Sequence, residues 1–158
     1  MKIVIGGDHA GFALKQLLGE ELKLAGHNIV DVGAFDATPS DYPDFAQALG
    51  EVLQRGEAER GILICGSGVG ACVAANKMRG LRAALISDTY SAHQGVEHDD
   101  LNVLCMGSRV TGPALASEIA RAFVGASFQP EERFVRRLNK VLAIEVRESG
   151  SAGSNTRS

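Results

Sequence analysis

Five short apolar runs alternate with segments of helical period along most of this chain, and that alternation confines it to a narrow set of folds. KIVIGGD (Lys2 to Asp8), NIVDVG (Asn28 to Gly33), GILICG (Gly61 to Gly66), RAALIS (Arg82 to Ser87) and NVLCMG (Asn102 to Gly107) are rich in Val, Ile and Leu, and most stop at Gly or Ser. Runs this continuous suit strands buried on both faces. Between them Phe12, Leu14, Leu17, Leu18, Leu22 and Leu24 recur at helical spacing, as do Phe45, Ala48, Leu49, Val52 and Leu53. Further helices are predicted over about Val69 to Met78, Thr89 to Glu97 and Pro113 to Val124, and a last one over about Pro130 to Arg147.

Strand and helix in turn, joined by short connections, imply an α/β fold: a single domain whose five-stranded parallel sheet carries helices on both faces through right-handed crossovers. In such sheets ligands bind beyond the carboxyl ends of the strands, at the switch point of strand order. GGDHAG, CGSGVG and GSR all lie at that edge. With 158 residues the chain suits one domain, taken as 1–148, followed by the low-complexity polar tail 149–158, which is expected to stay disordered.

Composition narrows the partners. A net charge of -3 provides no basic field for a nucleic-acid backbone, and aromatic residues for base stacking are few. No apolar run reaches the roughly 18 residues that span a bilayer, and no charged leader precedes the first strand, so neither nucleic acid nor membrane is expected and the expected location is the cytoplasm. Three cysteines without CxxC spacing suggest free thiols, with no disulfide framework and no zinc site.

The chemistry concentrates in CGSGVG. Gly66, Gly68 and Gly70 let several backbone N–H groups, with that of Val69 among them, turn into one concavity before a helix, a place for an anion. Cys65 opens this nest. A thiol beside a helix N-terminus can serve as thiolate base or nucleophile, although most unpaired cysteines are small buried hydrophobes. Ser67 either relays a proton or holds the turn. Cys72 and Cys105 are read as packing residues. Asp8 and His9 end the first strand, where a carboxylate can orient a sugar hydroxyl or cap a helix and a histidine can meet an anion. His93 and Glu97 lie one turn apart without further metal ligands at suitable spacing, and His98 is better read as a general acid or base. His27 is read as an exposed turn residue. Arg133 and Arg137 share a helical face and, with Arg109, either clamp a phosphate or form a solvated charged surface.

These motifs in this order, GGDHAGFALK, the DYP of Asp41 to Pro43, GILICGSGVG, AANK, SAHQGVEHD and NVLCMGSRV, resemble the ribose-5-phosphate isomerase type B family, which also includes galactose-6-phosphate isomerase subunits. The likeness runs from Met1 to about Arg147. It implies a Rossmann-like domain that interconverts aldose and ketose phosphates without metal or cofactor, working as a homodimer or dimer of dimers with sites at the interface. By the same resemblance Cys65 is the base between C2 and C1, Ser67 assists, and the N–H groups of Gly66 to Gly70 hold the enediolate. His98 opens the furanose ring, Asp8 and Tyr42 meet hydroxyls, and His9, Arg109, Arg133 and Arg137 bind phosphate, some from the neighbouring subunit. Cys65 with Ala71 resembles the cysteine branch rather than members with a glutamate after the third glycine. Asp99 stands where many members carry Asn and adds a negative charge near the sugar.

A rival reading is a dinucleotide-binding module, since Gly66, Gly68 and Ala71 satisfy GxGxxA and Asp88 follows about 20 residues later. It leaves Cys65, His98 and the arginine pair without a role. A non-catalytic sugar-phosphate sensor is the third.

Overall fold

The computed structural model describes residues 1–150, so the tail expected at 149–158 lies, from Ser151 onward, outside the described residues. The elements in chain order are β1 (Lys2–Gly7), α1 (Phe12–Leu24), β2 (Asn28–Asp31), α2 (Tyr42–Gln54), β3 (Arg60–Cys65), α3 (Val69–Ala75), β4 (Ala83–Leu85), α4 (Thr89–Asp99), β5 (Val103–Gly107), α5 (Pro113–Gly125) and α6 (Glu132–Ser149). All five strands are parallel, in the order β2-β1-β3-β5-β4.

Two apolar layers form because adjacent residues of the central strands point to opposite faces. Ile3, Ile5, Ile62, Ile64, Leu104 and Met106 meet α1, α4 and α5 through Leu18, Val96 and Phe123. Val4, Leu63, Cys65, Val103 and Cys105 meet α2 and α3 through Leu49, Ala71 and Ala75. Burial on both faces therefore holds for β1, β3 and β5, whereas the edge strand β4 leaves Leu85 45% exposed. The chain winds outward from β1 to β2 and then crosses to β3, which places the switch point between the ends of β1 and β3.

Several boundaries differ from the sequence reading. The third helix ends at Ala75 rather than Met78 because Asn76 turns the chain toward β4: its Nδ2 donates to Ala83 O at 2.8 Å and its Oδ1 accepts from Ala83 N at 3.0 Å. The fourth helix continues through His98 to Asp99 and stops where Asp100 adopts a left-handed conformation, φ 52°. The fourth strand shrinks to Ala83–Leu85, and the last helix shifts to Glu132–Ser149. His27 is half-buried beside the N-terminal amine, not a fully exposed turn residue. Cys105 is fully buried, as its packing role requires. Cys72 is only half-buried, and the thiol of Cys105 beside it brings its pKa down to about 7 while that of Cys105 is raised.

The last helix lies outside both layers. Of α6 only Phe134 is buried, and Val141, Ile144 and Val146 stay exposed. An apolar groove of about 690 Å³ runs between α6 and the turn after α3, lined by Met78, Leu138, Val141 and Leu142. Charged residues, Lys77 and Asp99 among them, also line it. No described helix is long and apolar enough to cross a membrane.

Candidate active site

The site grows from three strand ends that meet at the switch point. After β1 the chain turns sharply: Asp8 Oδ1 accepts from the N–H groups of Ala10 and Gly11, both at 3.0 Å. Gly11 passes so close to Ile64 O that a side chain there would strike backbone. After β5, Ser108 N donates to Cys65 O at 2.9 Å and Arg109 N to Gly66 O at 3.0 Å, tying this loop to the end of β3. Ser108 Oγ also donates to Ala10 O at 2.7 Å, so one hydroxyl joins the first and last of the three turns.

Between them lies the nest. Gly68 has φ 80°, and a Cβ there would run into Leu85 and come within 2.8 Å of the Met106 carbonyl carbon. A Cβ on Gly70 would lie 2.6 Å from Tyr42 Cζ, so this glycine makes room for the tyrosine ring at the start of α2. Strain and overlap together predict that Gly68→Ala lowers stability by about 3 kcal/mol, read from urea unfolding. An unchanged midpoint would show that the loop can relax around a methyl group.

Cys65 is 4% exposed at the foot of the nest, and Gly68 N donates to its Sγ at 3.1 Å. Such a donor interacts more strongly with a thiolate than with a thiol. Val69 N donates to Ser67 Oγ at 3.3 Å, so Ser67 does brace the turn. These bonds narrow the expected oxyanion hole: Gly68 and Val69 are occupied, and within the nest the N–H groups of Gly66, Ser67 and Gly70 are without a hydrogen-bond partner among the described residues. Since α3 has only seven residues, the local N–H groups rather than a long helix dipole supply the positive potential.

Asp8, His9, Tyr42, Cys65, Gly66, Ser67, Gly70 and Arg109 line one cavity of about 360 Å³, with Ala10 and Val110. Ala10 and Val110 carry no chemistry by type, and only their position after β1 and β5 marks them. A missed residue of another kind is Ser40, hydrogen-bonded to His9 from a polar loop in which only the neighbouring DYP gave a signal.

The remaining predicted residues are elsewhere. Helix α4 starts beyond the carboxyl end of β4 and runs back for 11 residues, about 16 Å, so His98 and Asp99 in its last turn sit at the opposite edge of the sheet. There His98 stacks on Phe134, with centroids 3.9 Å apart and planes at 16°, and the Arg133 guanidinium lies over the same Phe134 ring at 4.4 Å. Gln94 Nε2 donates to His98 Nδ1 at 2.7 Å. Arg137 is exposed one turn along α6. Arg133 also pairs with Glu131 at 2.9 Å, a surface contact of the kind that contributes little to stability. One chain thus holds two separate clusters, a thiol with an N–H nest at one edge and an imidazole with two arginines at the other.

The comparison with known proteins decides the family, because the ribose/galactose isomerase family matches residues 3–141 of this chain. The chain belongs to that family. It is 42% identical over 149 residues to D-erythrulose-4-phosphate isomerase 2 of Mycolicibacterium smegmatis, covering 92% of this chain and 97% of that one. It is 41% identical over 148 residues to ribose-5-phosphate isomerase B of Escherichia coli, covering 94% and 99%. The solved structure of Clostridium thermocellum ribose-5-phosphate isomerase B superposes with a TM-score of 0.91 at 41% identity, covering 94% of this chain and 99% of that one. This family member therefore shares its fold with that solved structure over 94% of its length.

Proposed function

We propose that the chain is an aldose–ketose sugar-phosphate isomerase whose preferred reaction is ribose 5-phosphate to ribulose 5-phosphate. The observation that carries the reading is a cysteine at the floor of a small cavity, beside the unengaged N–H donors of Gly66, Ser67 and Gly70 and between Asp8, His9, Tyr42 and Arg109. Abstraction of a proton next to a carbonyl needs a base and a donor pair for the oxygen that becomes negative.

In this mechanism His98 helps open the furanose, exposing the C1 aldehyde. The Cys65 thiolate removes the proton from C2, and the electron pair moves to O1, where the open N–H groups of Gly66, Ser67 and Gly70 meet the enediolate. The thiol returns the proton to C1 while Ser67 Oγ passes the O2 proton to O1, so that C1 carries a hydroxyl and a ketone forms at C2. Asp8 spends Oδ1 on its turn and offers its other oxygen to a hydroxyl. His9 and Arg109 bind the phosphate from this chain, and Arg133 and Arg137 from a second copy. No step calls on a metal or cofactor.

The separation of the two clusters supports a homo-oligomer in which His98, Asp99, Arg133 and Arg137 of one subunit close the Cys65 cavity of another. The exposed apolar stripe of α6 and its groove offer a surface for that pairing. A cytoplasmic location accords with this chemistry.

The named relatives divide between four- and five-carbon sugar phosphates, so the test uses both. Purified protein is given ribose 5-phosphate and D-erythrulose 4-phosphate in parallel, and kcat/KM is compared. A higher value for ribose 5-phosphate is expected; preference for the shorter sugar moves the assignment within the family, and silence on both returns the sensor reading to the front.

A further inference from the structure

We propose that the backbone of Ser40 sets the tautomer of His9, so that the cavity always receives an N–H donor from Nε2. Three contacts join them. His9 N donates to Ser40 Oγ at 3.1 Å, Ser40 N donates to His9 Nδ1 at 3.1 Å, and Ser40 O lies 3.2 Å from the same Nδ1. An amide N–H only donates, so on a neutral ring it needs an unprotonated Nδ1, and the ring proton then sits on Nε2. The other neutral tautomer would leave the Ser40 N–H facing another N–H, and an orphaned amide donor is costlier than an under-used carbonyl with a second lone pair. When the ring gains a proton, Nδ1–H finds Ser40 O already in place. That bond replaces the one from Ser40 N, and both protonation states leave Nε2–H as the edge available to the cavity that His9 lines.

This bears on substrate binding because a phosphate accepts and never needs to receive an acceptor. His9 thereby differs from Arg109, its cationic neighbour in the cavity: it donates whether charged or neutral. Asp8 next to it in the chain, Cys65 at the end of β3, Tyr42 on α2 and Arg109 after β5 are the titratable groups around the same space. Ser40 is a positioning residue in this scheme, holding His9 from the loop before α2.

The tautomer itself is tested on wild-type protein without substrate, by nitrogen NMR of histidine-labelled chain with His9 assigned through His9→Gln. Protonated Nε2 and bare Nδ1 on the neutral ring are expected; a neutral ring protonated at Nδ1 overturns the proposal. The functional consequence rests on the isomerase reading and is measured through KM for ribose 5-phosphate. Glutamine can place an amide near the Nε2 position and asparagine only near Nδ1, so His9→Asn should raise KM about ten- to hundredfold and His9→Gln by about threefold. Equal losses in both overturn the Nε2 assignment. Wild type silent on the sugar would instead count against the isomerase reading, and the NMR result would still decide whether Ser40 sets the tautomer.

Discussion

Cys65→Ala is expected to lower kcat for ribose 5-phosphate by about a thousandfold, within the range that a positioned general base supplies. The substitution removes one sulfur from a cavity that Cys65 lines together with Gly66, Ser67 and Gly70, so the fold should survive it. KM should change little, because the phosphate contacts proposed for His9 and Arg109 remain. That split between kcat and KM separates a base from a packing residue: a packing role would be read as a lower melting temperature with turnover retained. Cys65→Ser is the informative companion, since it keeps the volume and an acceptor for the Gly68 N–H at 3.1 Å but replaces an acidic thiol by a far weaker acid. Activity near wild type in Cys65→Ser would sink the thiolate mechanism even if Cys65→Ala were inactive.

The second large effect is a recovery of activity. Cys65→Ala and His98→Asn should each be nearly silent, and a mixture allowed to exchange subunits should regain about a quarter of wild-type turnover. In an equal mixture half the dimers are mixed, and each mixed dimer holds one site with both lesions and one with neither, as an isologous pairing requires. The expectation follows from α4 running back across the sheet for 11 residues, which leaves His98 too far from Cys65 of its own chain. A mixture that stays silent, with subunit exchange shown by mass, would mean that each chain completes its own site. Full activity in a monomer by light scattering would mean the same.

Much of this architecture is legible in the chain itself. Strand and helix identities follow from local physics: Val- and Ile-rich runs that stop at glycine, and leucines at helical spacing, specify elements irrespective of what they later touch. The glycine spacing of the nest is a local signal too, and the structure shows what it serves: Gly68 and Gly70 must be glycines for the chain to pass Leu85, Met106 and Tyr42. Boundaries are less legible. The early end of α3 depends on Asn76 reaching Ala83, and the short β4 depends on its place at the sheet edge.

The alternating α/β order, the glycine turns at the carboxyl ends of the strands and the candidate chemistry of Cys65 can be read from the chain alone, because each depends on neighbours within a few residues. Long-range packing sets the strand order and with it the switch point, which N–H groups of the nest remain open, the seating of His9 on Ser40, and the gathering of Asp8, His9, Tyr42, Cys65 and Arg109 in one cavity while His98 and Arg133 form a second cluster. The physical reason is direction. A helix between parallel strands must run antiparallel to them, so residues near one another along the chain can end on opposite edges of the sheet, and sequence spacing does not report the distance between them.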